Sequence, residues 1–366
     1  MDTHLKNMNT SSNDNGVRYI ALFLLLCLSS ELFGWGFFGH KLINQQAVYS
    51  LPLPLQRLFL PHQEYLSIHA VDPDKRRYAI KEEAFQHYFD TEKWTFWMDT
   101  VAVMDRRQLL RQVGHLAIVG DDTSWIHEGD ILYDSIIAQV PRWFSGSVWD
   151  YESVEVLDTM AFHGLLPITL NRYYHKLVRA FQAKDMNLSL KCAAELGHYL
   201  GDAHVPLHTT ENYNGQLTNQ VGIHALWETH VPELLAESTF DWIVGPAQYL
   251  DDIPNASWSI VQNSHSMVDS VLTIESEVRN SVHDADESCF RDRGDKIVKL
   301  PCEDFLNAYE VRMSHMVERQ MRKSILSVAS FWWSAYVDAG QPSLGSFYVD
   351  DVREEKLPVD EKGRCD

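Results

Sequence analysis

This 366-residue chain is poor in positive charge: 31 Lys+Arg stand against 51 Asp+Glu, a formal net charge of −20. That deficit excludes stable binding to duplex DNA through a broad phosphate footprint, because such affinity comes from the counterions released as Lys and Arg cover many phosphates. It does not exclude chemistry at a single phosphodiester, where bound metal ions supply positive charge locally. The sequence also lacks an apolar run long enough for a spanning helix, which needs ~20 residues; IALFLLLCL at 20–28 falls short and Glu31 blocks its extension. Convincing alternation of apolar and polar residues, the mark of half-buried strands, is scarce. What is present is a core: 45% hydrophobic residues, with 11 Trp, 15 Tyr and 16 Phe, exclude disorder as the dominant state.

Residues 1–34 read as a secretory signal. Lys6 and Arg18 precede the apolar run, and Ser29, Ser30 and Gly34 follow it, the order of a cleavable signal peptide. Cleavage after Gly34 would leave a secreted or periplasmic protein starting at Trp35, with no transmembrane anchor after processing; an uncleaved N-terminal anchor is the alternative, because Leu32 is a poor residue for the position three before that cut. Cys27 follows Leu26 rather than a small residue, so no lipoprotein attachment is expected. Export permits disulfides: Cys289 and Cys302 bracket a short polar loop and are expected to pair, while Cys192 reads as a buried thiol and Cys365 lies in a polar tail.

Helical spacing of apolar residues dominates the remainder, at about 40–50, 105–118, 153–183, 187–204, 222–236, 258–280 and 303–338. The expected class is all-α, with a single multi-helix domain over 35–338 and a solvated tail over 339–366. Stretches 119–130 and 209–222, rich in Gly, Asp, Ser and Asn, read as loops.

The chemistry concentrates in residues 197–233. His198 and Asp202 stand four apart in a helical pattern that Pro206 ends, so both project from one face. His224 and Glu228 repeat the arrangement before Pro232. One His–carboxylate pair at this spacing is usually a surface pair. Two such pairs flanking His208, in an otherwise apolar or loop-forming block, point to metal, and imidazole with carboxylate is the ligand set zinc favours.

H-Y-L-G-D, then His208, then H-x-x-x-E resembles the core of the three-zinc phosphodiesterases, the superfamily of zinc-dependent phospholipase C and the zinc-dependent single-strand nucleases. The resemblance asks for a mature N-terminal Trp with a nearby His, and for an Asp with a His about fifteen residues on. Trp35 and His40, and Asp72 and His87, stand in those places, giving nine matching positions in order from Trp35 to Glu228. It implies an all-α domain with a three-zinc cleft. One Zn2+ would take Asp72, His87, His198 and Asp202; a second Trp35, through its amino nitrogen and carbonyl oxygen, and His40, with Asp202 bridging the two; a third His208, His224 and Glu228. His204 reads as a neighbour of the ligands, and His127, His163 and His175 as ordinary hydrogen-bonded groups.

The implied activity is hydrolysis of phosphate ester bonds, with water attacking phosphorus in line with the leaving oxygen, Asp72 orienting or deprotonating it, and Asp202 holding the metal pair together. The nuclease pattern has an Arg three residues after its Asp, where this chain has Lys75, followed by Arg76 and Arg77; Lys75 and Arg76 are the candidate phosphate contacts. The short Trp-to-His interval and the fifteen-residue Asp-to-His interval resemble the nucleases (DNA or RNA, 3'-nucleotidase type). Glu228 and the short His208-to-His224 loop resemble phospholipase C, toward which the balance leans. Nucleobase binding would need aromatic platforms, for which Tyr213, Trp94, Trp97 and Trp125 are candidates; lipid binding would need an exposed apolar rim. A secreted helical protein with purely structural zinc is the remaining alternative, although structural zinc usually has four protein ligands, often Cys, and the third site offers three and no Cys.

Overall fold

Helix α6, Met186–Ala203, is buried on nearly every side, and the rest of the fold is arranged to cover it. The computed structural model describes residues 36–93, 163–281, 288–293 and 296–347, together with the backbone of three short strands, β1 (His115–Val119), β2 (Ser124–Ile126) and β3 (Ser153–Leu157). The helices preceding α6 are α1 (Gly36–Ala47), α2 (Leu53–Phe59), α3 (Gln63–Ile68), α4 (Asp72–Arg77) and α5 (Leu166–Ala183). After α6 come a helical turn Ile223–Ala225, a π-helical stretch Leu226–His230, α7 (Val231–Thr239), α8 (Ile253–His265), α9 (Val268–Ser281), α10 (Glu303–Arg312) and α11 (Met316–Asp338). The molecule is mainly helical, as the sequence periodicity predicts, and among the described residues no helix is long and apolar enough to cross a membrane.

Local chemistry accounts for the ends of α6. Asp185 caps it by accepting a hydrogen bond from the Leu188 amide at 2.9 Å, satisfying an otherwise orphaned donor. Pro206 lies just beyond its last turn. Helices α5, α11 and α1 pack against it, and the buried Trp332 of α11 donates its indole N–H to the Ala193 carbonyl at 2.9 Å. Phe59 and Phe181 meet near the Trp332 ring. The thiol of Cys192 is buried on this helix, and that burial pushes it up to about 12.

Helix α1 approaches α6 closely. A Cβ on Gly197 would lie 1.9 Å from Asn44 Oδ1, so only glycine fits there. Asn44 uses the proximity, its Nδ2 donating to the Leu66 and Ala194 carbonyls, both at 3.0 Å.

Several boundaries differ from the sequence expectations. The stretch 105–118 ends in strand rather than helix, 119–130 contains β2, and 153–183 opens with β3, the helix beginning only at Leu166. Strand β1 pairs antiparallel with both β2 and β3. HLAIV and SVEVL are short and rich in β-branched residues, and over five residues the two periods are hard to tell apart. The expected helix 258–280 divides into α8 and α9. The expected helix 303–338 breaks at Ser314 and His315, both in the left-handed region at φ 55° and 57°. Cys289 and Cys302 do form a disulfide, but the segment between them is a hairpin, β4 (Ser288–Arg293) with β5 (Lys296–Pro301), not a loop. At the start of the expected tail, Phe347 packs edge-on against Phe181.

Candidate metal centre

Seven of the nine side chains singled out in the sequence converge in the interior of the helical body, joined there by Asp74. Three groups of His, Asp and Glu each place their ligand atoms within 4.8 Å of one another: His40, Asp74 and His198; His87, His198 and Asp202; His208, His224 and Glu228. All eight residues are buried. Helix α1 supplies His40, α4 supplies Asp74, α6 supplies His198 and Asp202, and His87 follows a 3-10 turn (Lys81–Gln86). His208 lies in the Pro206–Thr209 3-10 turn that trails α6, and Glu228 sits in the π-helical stretch, a distortion that recurs at functional positions.

Asp202 lies at the middle and divides its oxygens. Its Oδ2 is 2.9 Å from His87 Nδ1 and 3.2 Å from His198 Nε2. Its Oδ1 is 3.3 Å from His40 Nε2 and 3.9 Å from His208 Nε2. One carboxylate thus faces two sets of imidazoles, the disposition a bridging ligand requires. In the third group, Glu228 faces both partners, with Oε1 3.0 Å from His224 Nε2 and Oε2 3.3 Å from His208 Nε2.

Backbone carbonyls orient the rings. His198 Nδ1–H donates to Ala70 O at 2.8 Å, His208 Nδ1–H to His87 O at 2.6 Å, and His224 Nδ1–H to Tyr213 O at 2.9 Å. Each bond fixes the tautomer and turns the Nε2 lone pair inward, as in metal-ligating histidines.

The electrostatics call for cations. Asp74, Asp202 and Glu228 are wholly buried, and neither oxygen of Asp74 has a hydrogen-bond partner among the described residues. An ionised carboxylate in that state costs several kcal/mol unless positive charge compensates it. Burial opposes ionisation of Asp202, but His198 and His208 outweigh it and hold the carboxyl well below its usual range. Burial likewise opposes protonation of His208, yet Asp202 and Glu228 push it up to about 9. His40 and His87 are drawn downward, chiefly by burial. The donor set of imidazole nitrogens and carboxylate oxygens fits divalent metal ions, which would take the positive place these carboxylates demand.

One expected ligand is not in the centre. The Asp72 carboxylate accepts from Lys75 Nζ at 2.9 Å and meets His69 Nδ1 at 2.5 Å. Burial opposes its ionisation, but these two partners prevail and hold it below its ordinary range. Asp74 takes the inward place instead, because two residues along a helix carry a side chain to the opposite side. A signal for this was present: Arg77 stands three residues after Asp74, as Lys75 does after Asp72. Arg77 is half-buried and has no carboxylate partner among the described residues.

The expected phosphate contacts fare differently. Lys75 is tied to Asp72. Arg76 makes a two-pronged contact with Glu195 at 2.7 and 3.2 Å and reaches Glu83 at 3.2 Å, so it braces α4 against α6 rather than facing a substrate. Tyr213 stands beside the third group, its ring edge-on to His224 with centroids 6.1 Å apart. The His204 ring bonds Leu200 O and Ser327 Oγ rather than a ligand side chain. His163 faces Asp90 at 3.4 Å, and His175 lies edge-on to Tyr174. Trp35, the signal segment 1–34, Trp94, Trp97, His127 and Cys365 lie outside the described residues, as does the side chain of Trp125. The residue after Trp35, Gly36, starts α1 at φ 46° beside Thr229, the neighbour of Glu228.

No protein-family model matches the chain, and no curated protein matches it.

Proposed function

We propose that this chain is an exported three-zinc hydrolase of phosphate esters, of the phospholipase C type. The observation that carries the reading is Asp202, a buried carboxylate whose two oxygens serve two groups of imidazoles, with a third group of three ligands beside it. Bound zinc would supply Lewis acidity at the phosphoryl group and neutralise charge developing on the leaving oxygen. His87, His198, Asp202 and Asp74 would hold one ion; His40, Asp202 and the freed amine and carbonyl of Trp35 the second; His208, His224 and Glu228 the third. Asp74 inherits the roles expected of Asp72, as ligand and as the carboxylate that orients an attacking water. The carbonyls of Ala70, His87 and Tyr213 keep the three rings from turning.

With Asp74 as ligand, the Asp-to-His interval is thirteen residues instead of fifteen, which removes one of the two spacings that resembled the nucleases. Glu228, buried and facing both partner histidines, completes the third site in its phospholipase form. The second reading, a single-strand nuclease, is favoured by Arg77, which shares a face of α4 with Asp74 and offers an uncommitted planar guanidinium suited to phosphate. The test is turnover by the zinc-loaded chain, begun at Trp35, on phosphatidylcholine, single-stranded DNA and RNA in parallel. Hydrolysis of phosphatidylcholine with about three zinc per chain by elemental analysis is expected. Cleavage of the nucleic acids alone selects the nuclease, and full metal content without turnover on any of the three selects the structural alternative.

A further inference from the structure

The segment between His208 and His224 is a loop whose two ends meet, the ring centroids of these histidines lying 4.9 Å apart. It is held firmly. Asn212 Oδ1 accepts from the Leu217 amide at 2.8 Å, Asn214 Oδ1 from the Gly222 amide at 3.0 Å, and the Gln220 amide donates to Gly215 O at 2.9 Å. Gly215, at φ 72°, leaves no room for a Cβ against Gln220. Gln220 Nε2 then ties the loop to α9 through Leu272 O at 2.7 Å and Glu275 Oε2 at 2.6 Å.

This fixed loop nevertheless exposes Leu217 by 67%, Val221 by 73% and Tyr213 by 37%. A loop free to move can fold apolar side chains inward; one fastened at this many points holds them in water. Compact loops of this kind are frequently functional, and apolar side chains held exposed on a loop beside a candidate site suit a binding surface. Charge narrows the occupant. Residues 209–222 contain no Lys, Arg or His, and their one acid, Glu211, is paired with Lys93 at 2.7 Å. A nucleic-acid strand wants cations along its backbone together with aromatic platforms, and a chain of net charge −20 repels an anionic surface. An uncharged apolar rim suits a zwitterionic lipid surface, into which Leu and Val side chains transfer favourably.

We propose that the 209–222 loop is an interfacial rim that seats the molecule on a phosphatidylcholine-like bilayer through Leu217 and Val221, presenting the adjacent third metal group and Tyr213 to the headgroups. The inference rests on the phospholipase reading above but is tested without turnover. The zinc-loaded full mature chain is sedimented with phosphatidylcholine vesicles, beside Leu217→Asp/Val221→Asp and, as a control exposed elsewhere, Ile243→Asp. The wild type and the Ile243 variant should partition alike, and the loop variant should partition at least roughly tenfold less with unchanged zinc content and circular dichroism. A milder Leu217→Ser/Val221→Thr variant answers the same question should the double Asp variant fail to fold. Partitioning that is absent in the wild type, unchanged in the loop variants, or lost equally in the Ile243 variant would overturn the proposal. So would loop variants that lose single-stranded oligonucleotide binding instead. Vesicle binding without hydrolysis would sink the phospholipase reading and leave the rim standing, whereas hydrolysis without loop-dependent binding would do the reverse.

Discussion

Two residues along a helix turn a side chain through about 200°, and in α4 that turn separates a carboxylate paired at the rim, Asp72, from one sealed among imidazoles, Asp74. Asp74→Asn should therefore remove one zinc and lower turnover by roughly 100-fold or more, at or beyond the range for disturbing a ligand's support. Asp72→Asn should keep the full metal content and most of the activity, with elemental analysis and rate measured on the same preparations. Asp90 offers a pH-dependent contrast. Burial, against the opposing pull of His163, pushes its carboxyl up to about 6. A folded-state value above the unfolded one means that ionised Asp90 destabilises the native state at pH 8, and that this penalty fades as pH falls from about 6 toward 4. Asp90→Asn should thus raise the melting temperature at pH 8, by a stabilisation on the order of 1–2 kcal/mol, and leave it nearly unchanged at pH 4.5. An equal effect at both values would show that the carboxylate is relieved by its neighbours. The third candidate group was legible in the sequence because it is local, with His224 and Glu228 at helical spacing and His208 a short loop before them. Asp74 was not, because choosing between acids two positions apart requires the phase of a six-residue helix, and interval matching alone pointed to Asp72 rather than to the acid that lies among the imidazoles. Lys75 and Arg76 meet a related limit: a sequence shows that a cation is present, not that Asp72 or Glu195 pairs with it.

Among the elements, α1 supplies His40 and α6 supplies His198 and Asp202 to the candidate metal centre, and the two helices approach each other at Gly197. Gly197→Ala would place a methyl 1.9 Å from Asn44 Oδ1, so the helices must separate or Asn44 must abandon Leu66 and Ala194. The expected cost is about 1–3 kcal/mol, typical of overpacking, together with loss of any metal ion that His40 and Asp202 would share. Thermal melting and metal analysis test both, and an unchanged zinc content would show that the imidazoles tolerate a wider gap. The long helices α5 and α6 were readable because many apolar positions recur over 18 residues each. Strands β1 and β3 were misread because five residues scarcely distinguish the two periods. The break between α10 and α11 leaves little trace, since it turns on Ser314 and His315 in the left-handed region without a glycine to announce it.

At the scale of the whole molecule, core and site are one object. Helix α6 contributes Leu196, Tyr199 and Leu200 to the hydrophobic interior and His198 and Asp202 to the candidate metal centre, so metal binding there would share a free energy with folding. This bears on history rather than on catalysis. A centre enclosed by the body of the fold takes its ions while that body assembles, and the selection is made once, in the compartment where the chain folds. Sites of nitrogen and oxygen ligands hold Cu2+ more tightly than Zn2+, so affinity alone would choose copper. Refolding from guanidinium in equal copper and zinc should yield a copper-loaded chain, whereas the native zinc-loaded chain bathed in the same mixture should exchange far more slowly. Equal copper uptake along the two routes would mean that the interior breathes freely enough for the ions to re-equilibrate. Otherwise a metal ion held in this centre would be a record of where the chain was folded.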